Sequence, residues 1–214
     1  MSWLSQKLPL IFDQPHSSAQ RLHIPIFALN TVLYPDGVLF LKVFEAHYMD
    51  MARTCMKANT PFGVCLIRAG NEVGAAAETY LVGTLATIAD WDMAQFGILN
   101  ITAHGGQRFL IESSQIAPDG LITATVSLIP VEPIQLIEQD FAICSRVFDT
   151  IFHEVGAARF STPIHPEQAA WLGYRLAESL PIKVAAKQDL LEMNDSLMRL
   201  KILWAFLKRQ GVQG

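Results

Sequence analysis

Short apolar or alternating runs, separated by turn residues, occupy the chain from residue 22 to about residue 133. Runs of this kind are typical of β-strands, because successive side chains of a strand point to opposite faces. The first part of the chain is therefore predicted to be a sheet or barrel. We predict strands near residues 63–68, 80–90, 97–104, 108–114 and 121–129.

Two Pro-Asp-Gly tripeptides, at residues 35–37 and 118–120, predict turns between strands. Proline presets φ, aspartate can bond its own backbone, and glycine accepts a positive φ. The segments on either side of the first tripeptide, residues 32–34 and 38–41, are apolar at every position. Because strands that are apolar on both faces lie inside a sheet, we predict a central hairpin here.

A helix is predicted near residues 44–57, where Phe44, Tyr48, Met51 and Cys55 recur every three or four residues. A period of that kind places the four side chains on one face of a helix. The sheet is therefore interrupted by one inserted helix.

After Pro130 and Pro133 the segments are longer, and their apolar residues recur about every 3.6 residues. The last of them is the most clearly bounded, since Asn194 or Asp195 can cap its start and Gly211 suits its end. We therefore divide the chain into an extension at residues 1–21, a β-barrel subdomain at 22–133 and a helical subdomain at 134–214. Helices are predicted near residues 134–154, 166–179, 182–192 and 195–209.

Composition favours a folded globular protein, with 51% hydrophobic and 17% charged residues. The formal net charge is -4, and no basic cluster suits a phosphate backbone, so we do not expect nucleic acid as the main partner. Residues 1–10 lack the long apolar stretch of a secretory signal, and no apolar run reaches the roughly 20 residues of a membrane span. The expected location is the cytoplasm.

Motifs of known catalytic chemistry are absent from the sequence. Gly-Lys does not occur, so there is no P-loop, and GxGxxG and GxSxG do not occur either. His153 and Glu154 begin like an HExxH zinc helix, but Ala157 stands at the second histidine position. We therefore predict no metal and no cofactor.

Three cysteines, Cys55, Cys65 and Cys144, are widely spaced and suit buried, reduced thiols. Folding could still bring Cys65 close to a histidine, because catalytic residues need not be neighbours in sequence. A nucleophilic enzyme therefore stays open as an alternative.

The most informative segment is residues 24–48, IPIFALNTVLYPDGVLFLKVFEAHY. It resembles the opening of the N-terminal substrate-recognition domain of Lon proteases, which reads roughly P-L-F-P-L, an apolar run to F/Y-P, a turn, an apolar strand and I-F-E-x-R-Y. Ala28 and His47 depart from that pattern, where the family often has proline and arginine. The matching residues are Pro25, Phe27, Leu29, Tyr34, Pro35, Gly37, Leu39, Leu41, Phe44, Glu45 and Tyr48.

Further blocks continue the resemblance in the same order over roughly residues 22–207. It implies an α+β fold, a PUA-like β pseudo-barrel followed by a C-terminal helical bundle. The blocks lie at residues 62–64, 82–86, 106–109, 176–181 and 187–192.

The function that the resemblance implies is recognition of protein or peptide without catalysis, with an adaptor in protein quality control as one form. Lon cleaves with a serine and a lysine in a separate domain that follows its ATPase, and no region here resembles either. We therefore expect no enzyme, and expect an unfolded polypeptide or a protein as the partner. The oligomeric state is left open.

Six residues within or beside the family-like blocks are candidates for peptide binding. Among the polar ones, Glu45 and Arg108 either brace the barrel, as a pair or through backbone groups, or clamp a peptide. The aromatic ones either pack in the core or form an exposed patch. The candidates are Tyr34, Phe40, Glu45, His47, Tyr48 and Arg108.

Two other functions remain open at this point. A small-molecule-binding or hydrolytic protein would have a deep pocket between barrel and helices, where His47 or His104 meets Glu45 or a cysteine. An RNA-binding module of the PUA-like kind would need a strongly positive face.

Overall fold

A computed structural model describes residues 20–74, 76–137 and 139–212, and it places strands before helices along the chain. The predicted extension at residues 1–21 lies outside this range except for its last two residues. The strands are β1 Arg21–Leu29, β2 Val38–Val43, β3 Phe62–Ala69, β4 Glu78–Thr79, β5 Val82–Gln95, β6 Ile98–Ile116 and β7 Ile122–Leu128. The helices are α1 Ala46–Ala58, α2 Ala142–Val155, α3 Ala169–Ser179, α4 Val184–Glu192 and α5 Ser196–Arg209, with 3-10 turns at Gln139–Phe141 and Ala157–Arg159.

Five strands close into a small barrel. Antiparallel pairs join β1, β7, β6, β5 and β3 in that order, and a parallel pair between β3 and β1 closes the ring. The short strand β4 extends β3, while β2 is added outside the ring, on β6. The predicted α+β fold, a β pseudo-barrel followed by helices, is confirmed.

The predicted hairpin around residues 35–37 is wrong. Residues 32–34 form no strand, and β2 pairs with β6 instead. The N–H of Asp36 donates to the carbonyl of Gly105 at 2.9 Å, and the N–H of Gly105 donates to the carbonyl of Gly37 at 2.8 Å, which fixes the turn on β6. The apolar side chains at 32–34 are buried because they fill space between the strands and the helices rather than within one sheet.

One long strand, β6, replaces the two predicted at residues 97–104 and 108–114. Gly105 and Gly106 lie between those segments, but neither has a positive φ, so the backbone stays extended through them. The second Pro-Asp-Gly turn does join two strands, β6 and β7, and Gly120 there has a φ of 93°.

The inserted helix is confirmed as α1, which buries Tyr48, Met51 and Cys55 together with Ala52. Phe44, the fourth residue of the predicted face, is not part of it, because the helix begins only at Ala46 and leaves Phe44 exposed. The final helix is confirmed as α5. The side chain of Asp195 accepts a hydrogen bond from the N–H of Met198 at 2.9 Å, and Gly211, with a φ of 78°, follows its end.

The predicted helix at residues 134–154 begins only at Ala142. The preceding segment stays extended because it bonds to the start of α3: the N–H of Ile137 donates to Glu167, and the N–H of Ala169 donates to Gln135. This extended segment carries the chain from β7 across α3 to α2.

Helices α2–α5 pack together and against one side of the barrel. Their shared core also contains Val32, Tyr34 and Leu66 from the β region. No helix in the described ranges is both long and apolar enough to cross a membrane.

Candidate functional site

Three of the six candidate residues, Tyr34, Tyr48 and Arg108, are buried, and Tyr34 and Arg108 lie between the barrel and the helices. Tyr34 is fully buried, and its hydroxyl donates to the carbonyl of Lys187 at 2.8 Å. Burial raises the pKa of this phenol well above its ordinary value. Its contacts tie the segment before the first turn to α4, and its ring is not accessible to a peptide on the surface.

Arg108 binds the helical region rather than Glu45. One of its guanidinium nitrogens donates to the carbonyls of Leu191 and Met193 at 2.6 and 2.7 Å. The other donates to the side chain of Asn194 at 2.9 Å and lies 3.3 Å from Glu132. The structure therefore places Arg108 at a brace between β6 and the α4–α5 connection.

Glu132 is the centre of this brace, and the sequence analysis missed it. Its buried carboxylate accepts hydrogen bonds from Arg199 at 2.7 and 3.1 Å and from the hydroxyl of Tyr174 at 2.5 Å. The available signal was an acidic residue between Pro130 and Pro133 in an otherwise apolar stretch. Such a residue must be neutralised if it is buried.

Phe40, Glu45 and Tyr48, three of the other candidates, meet at a surface groove of about 280 Å³ that we call the β2 groove. Every residue from 39 to 45 lines it, so it runs along the edge of β2 rather than over one face of the strand. The opposite wall and floor come from β1 and its continuation, from α1, and from the connection after β3. Those residues are Phe27, Leu29, Thr31, Tyr48, Glu72 and Val73.

The aromatic floor of the groove is fixed by packing. The rings of Phe27 and Tyr48 stack with centroids 4.0 Å apart, and His47 lies 4.2 Å from the Tyr48 ring. Burial raises the pKa of the Tyr48 phenol. His47 therefore supports Tyr48 from α1 and does not line the groove.

Exposed apolar side chains surround this groove. Phe40 is 50% exposed and Phe44 55% exposed, although a globular protein normally buries such residues. A second depression of about 270 Å³ lies on the other side of Phe40 and reaches Trp91 on β5. The β5–β6 hairpin ends in Phe96, which is fully exposed, and it also carries Met93. Phe44, Trp91 and Phe96 were not among the candidates, because the local sequence does not distinguish an exposed aromatic side chain from a buried one.

The groove is lined by two carboxylates and one lysine, and the guanidinium of Arg159 lies 5.0 Å from the centre of the Phe40 ring beside it. Glu45 and Glu72 line the groove, and among the described residues neither forms an ion pair with a lysine, arginine or histidine. Glu45 accepts a 3.4 Å hydrogen bond from the N–H of Gly74, and Glu72 accepts one from the N–H of Asn30. Lys42 is the one cation among the lining residues.

The geometry offers little for the alternative of a hydrolytic pocket. A cavity of about 270 Å³ does lie between barrel and helices, bordered by Arg108, Glu132, Trp171 and Tyr174, but no histidine or cysteine lines it. Burial raises the pKa of the Cys65 thiol to about 12, which suits an inert thiol rather than a nucleophile. Within the described ranges, no group of three or more potential metal ligands occurs.

Comparison with known proteins gives one consistent relationship. The family model of the ATP-dependent protease La (LON) substrate-binding domain matches residues 23–209. The Lon protease of Vibrio parahaemolyticus is 26% identical over 198 residues, which is 86% of this chain and 24% of that protein. The Lon protease of Buchnera aphidicola is 24% identical over 201 residues, which is 90% of this chain and 26% of that protein. The chain thus spans about a quarter of the length of these relatives.

Solved structures show the same fold. A Lon N-terminal domain protein from Xanthomonas campestris is 30% identical, with a TM-score of 0.72 over 86% of this chain and 98% of that one. The N-terminal domain of a Mycobacterium avium complex Lon protease has a TM-score of 0.58, at 15% identity, over 85% of this chain and 96% of that one. At that lower identity the likeness concerns the fold alone.

Proposed function

The chain belongs to the family of Lon substrate-binding domains, and from that premise we propose that it recognises unfolded stretches of polypeptide through the β2 groove. The observation that carries this proposal is the groove itself, an apolar channel along a strand edge with exposed aromatic side chains beside it. Apolar surface that a monomer leaves exposed often marks an interaction site.

An unfolded segment fits this site better than a small metabolite does. A metabolite site usually encloses its ligand in about 300–1,000 Å³. The β2 groove is smaller, at about 280 Å³, and open along the strand. It suits one or two side chains of a chain that continues past it on both sides.

An adaptor role is the physiological form that we propose for this recognition. Binding would hold an unfolded segment and present it to a protease or chaperone, because nothing in the groove suggests a reaction on the bound chain. The three cysteines are buried, and the lining residues of the groove include no histidine, cysteine or serine.

The test is binding of a fluorescent, reduced and carboxymethylated model protein, compared with its native folded form. We expect the unfolded form alone to bind, and Phe40→Ala and Phe44→Ala each to weaken binding about 5- to 30-fold, the range of an interface residue that contributes strongly. Both side chains are half exposed, and the Phe40 ring also contacts the exposed guanidinium of Arg159, so their loss should lower the melting temperature only slightly.

Ile202→Ala is the matched control, because Ile202 is an exposed apolar residue on α5, away from the groove. It should bind as the wild type does. Equal binding of the native and unfolded forms, or equal losses in the control and the groove variants, would reject the proposal.

A further inference from the structure

We propose that the polypeptide binds as an additional β-strand on the free edge of β2, with an apolar side chain in the groove and a basic residue beside it. This inference rests on the proposed function and specifies its geometry and sequence preference.

The first step is the hydrogen-bonding pattern of β2. Among the described strands, β2 pairs with β6 alone. In an antiparallel pair, alternate residues turn their N–H and C=O groups toward the partner strand. Since the N–H of Gly105 donates to the carbonyl of Gly37, residues 39, 41 and 43 face β6. Val38, Phe40 and Lys42 therefore present their backbone groups to the open edge.

The second step is the position of the groove. An added strand lies about 4.8 Å from its neighbour in the hydrogen-bonding direction. The groove occupies that place, since it borders consecutive residues of β2 on one side and Phe27, Leu29 and Tyr48 on the other. A peptide there would satisfy backbone groups that otherwise depend on water.

The side chains of β2 show which face of an added strand would lie over the groove. Leu41 and Val43 belong to the buried core, so one face of β2 points into the barrel. Alternate residues of an added strand share that face, and would lie over the aromatic floor of the groove. Apolar residues at every second position are therefore favoured.

The charges of the groove residues determine which charged side chain of the peptide is favoured. Glu45 and Glu72 border the groove, and the structure shows no cationic partner for either among the described residues. Lys42 lies opposite Asn100, which in turn lies opposite Asp92, so its charge belongs to the outer face of the sheet. A lysine or arginine in the bound segment would complement the two carboxylates.

The residues of the β2 edge also suit pairing with an added strand. Natural free edges are usually blunted by several charges, proline or coverage, because an unguarded edge pairs with other chains. In β2 the single charge is Lys42, and the exposed Phe40 lies at the centre of the free edge.

Three synthetic peptides of one extended sequence test this mode by fluorescence anisotropy. Each has a single phenylalanine and a single lysine to fix the register, and the three are unmodified, N-methylated at odd positions, or N-methylated at even positions. Only alternate N–H groups of an added strand face β2. We expect one methylated peptide to bind within threefold of the unmodified one, and the other to bind about 100-fold more weakly, from about three lost hydrogen bonds.

The three peptides distinguish a failure of the proposed function from a failure of strand addition. An unmodified peptide that does not bind would reject the proposed function and the strand addition together. An unmodified peptide that binds while the two methylated forms bind equally well or equally poorly would reject strand addition alone.

A matched pair of protein variants tests the β2 side. Lys42→Pro removes an N–H that faces the open edge and leaves the ladder with β6 intact, whereas Lys42→Ala keeps that N–H. With equal melting temperatures, we expect Lys42→Pro to bind about tenfold more weakly than Lys42→Ala. Equal affinities of the two folded variants would contradict the assigned edge.

Glu45→Gln tests the charge preference. With wild type, replacing the peptide lysine by glutamate should weaken binding about tenfold, and the variant should reduce that ratio to about threefold. An unchanged ratio would remove Glu45 from the specificity determinants.

Discussion

At the scale of single residues, Glu132 joins the barrel to the helical region. It compensates two buried guanidinium groups, Arg108 from the barrel and Arg199 from α5. Each arginine also donates to backbone carbonyls in the last turn of α4 and just after it, so the three side chains hold the helical region on the barrel.

Glu132→Gln is expected to lower the free energy of unfolding by about 3–5 kcal/mol, because it leaves two buried cations without their counter-charge. Urea denaturation followed by circular dichroism measures the loss. Glu112→Gln is the control, since the ion pair of Glu112 with Arg21 is largely exposed and should contribute about 0–1 kcal/mol. Similar losses for the two variants would contradict the brace.

The buried thiols give a pH dependence of stability. Burial raises the pKa of Cys65 and of Cys144 to about 12, from an ordinary value of 9.0. The unfolded chain therefore loses these protons first, and stability that is complete below pH 9 decreases as pH rises toward 12. At pH 10 the thiols of the unfolded chain are mostly ionised while the buried ones stay protonated, so the protein is less stable there than at pH 8.

Urea titrations at pH 8 and pH 10 measure this dependence. Cys144→Ala should show a smaller difference between the two pH values than the wild type, even though the variant starts from a lower stability. A wild-type protein that is equally stable at both pH values would show that the thiols ionise normally.

At the scale of elements, the crossing of residues 33–37 over β6 depends on a glycine. A Cβ at Gly105 would lie 2.1 Å from the carbonyl oxygen of Tyr34, and backbone there cannot rotate away as a side chain could. At the adjacent Gly106, the nearest atom to a Cβ would be 3.6 Å away, an ordinary contact.

We expect Gly105→Ala to cost about 2 kcal/mol or more of unfolding free energy, and Gly106→Ala to cost little, since only the first forces the backbone apart. The two melting temperatures, measured by differential scanning calorimetry, decide the matter. A Gly105→Ala protein as stable as Gly106→Ala would mean that the crossing is looser than the contacts indicate.

At the scale of the whole molecule, the barrel and the helices share one core. Val32, Tyr34 and Leu66 pack among residues of α2–α5, and Arg108 donates to carbonyls at the C-terminal end of α4. The division into subdomains at residues 22–133 and 134–214 stays a prediction, and the shared core indicates that the two parts depend on each other for stability.

A fragment of residues 20–133 is therefore expected to be at least about 3 kcal/mol less stable than the full chain, because it exposes that apolar surface to water. Thermal unfolding by circular dichroism measures this. Adding a separate fragment of residues 134–214 should restore a cooperative transition. A fragment that melts sharply near the melting temperature of the full chain would show an independent barrel.

Local features of the fold were accessible from the sequence. The period of residues 44–57 predicted α1, and the signals at Asp195 and Gly211 marked the ends of α5, because helix caps and amphipathic faces are properties of neighbouring residues. The resemblance at residues 24–48 indicated the family, because a family pattern is an order of residue types and can be read directly from the sequence.

Candidate site residues could be predicted only in part. Phe40, Glu45 and Tyr48 do come together at one groove, but Tyr34 and Arg108 are buried elsewhere, and His47 supports the floor from behind. An aromatic side chain in an apolar strand has the same local pattern whether it faces the core or a partner.

The sequence by itself determined the change from strands to helices along the chain, the inserted helix, the caps of the last helix and the family, because each depends on residues near one another in the chain. Only the tertiary structure decided that β2 pairs with β6, that Glu132 joins Arg108 to Arg199, and that one edge of β2 borders an open groove. Those features depend on contacts between residues that are distant in sequence, where several pairings satisfy the same local pattern and packing of the whole chain selects one.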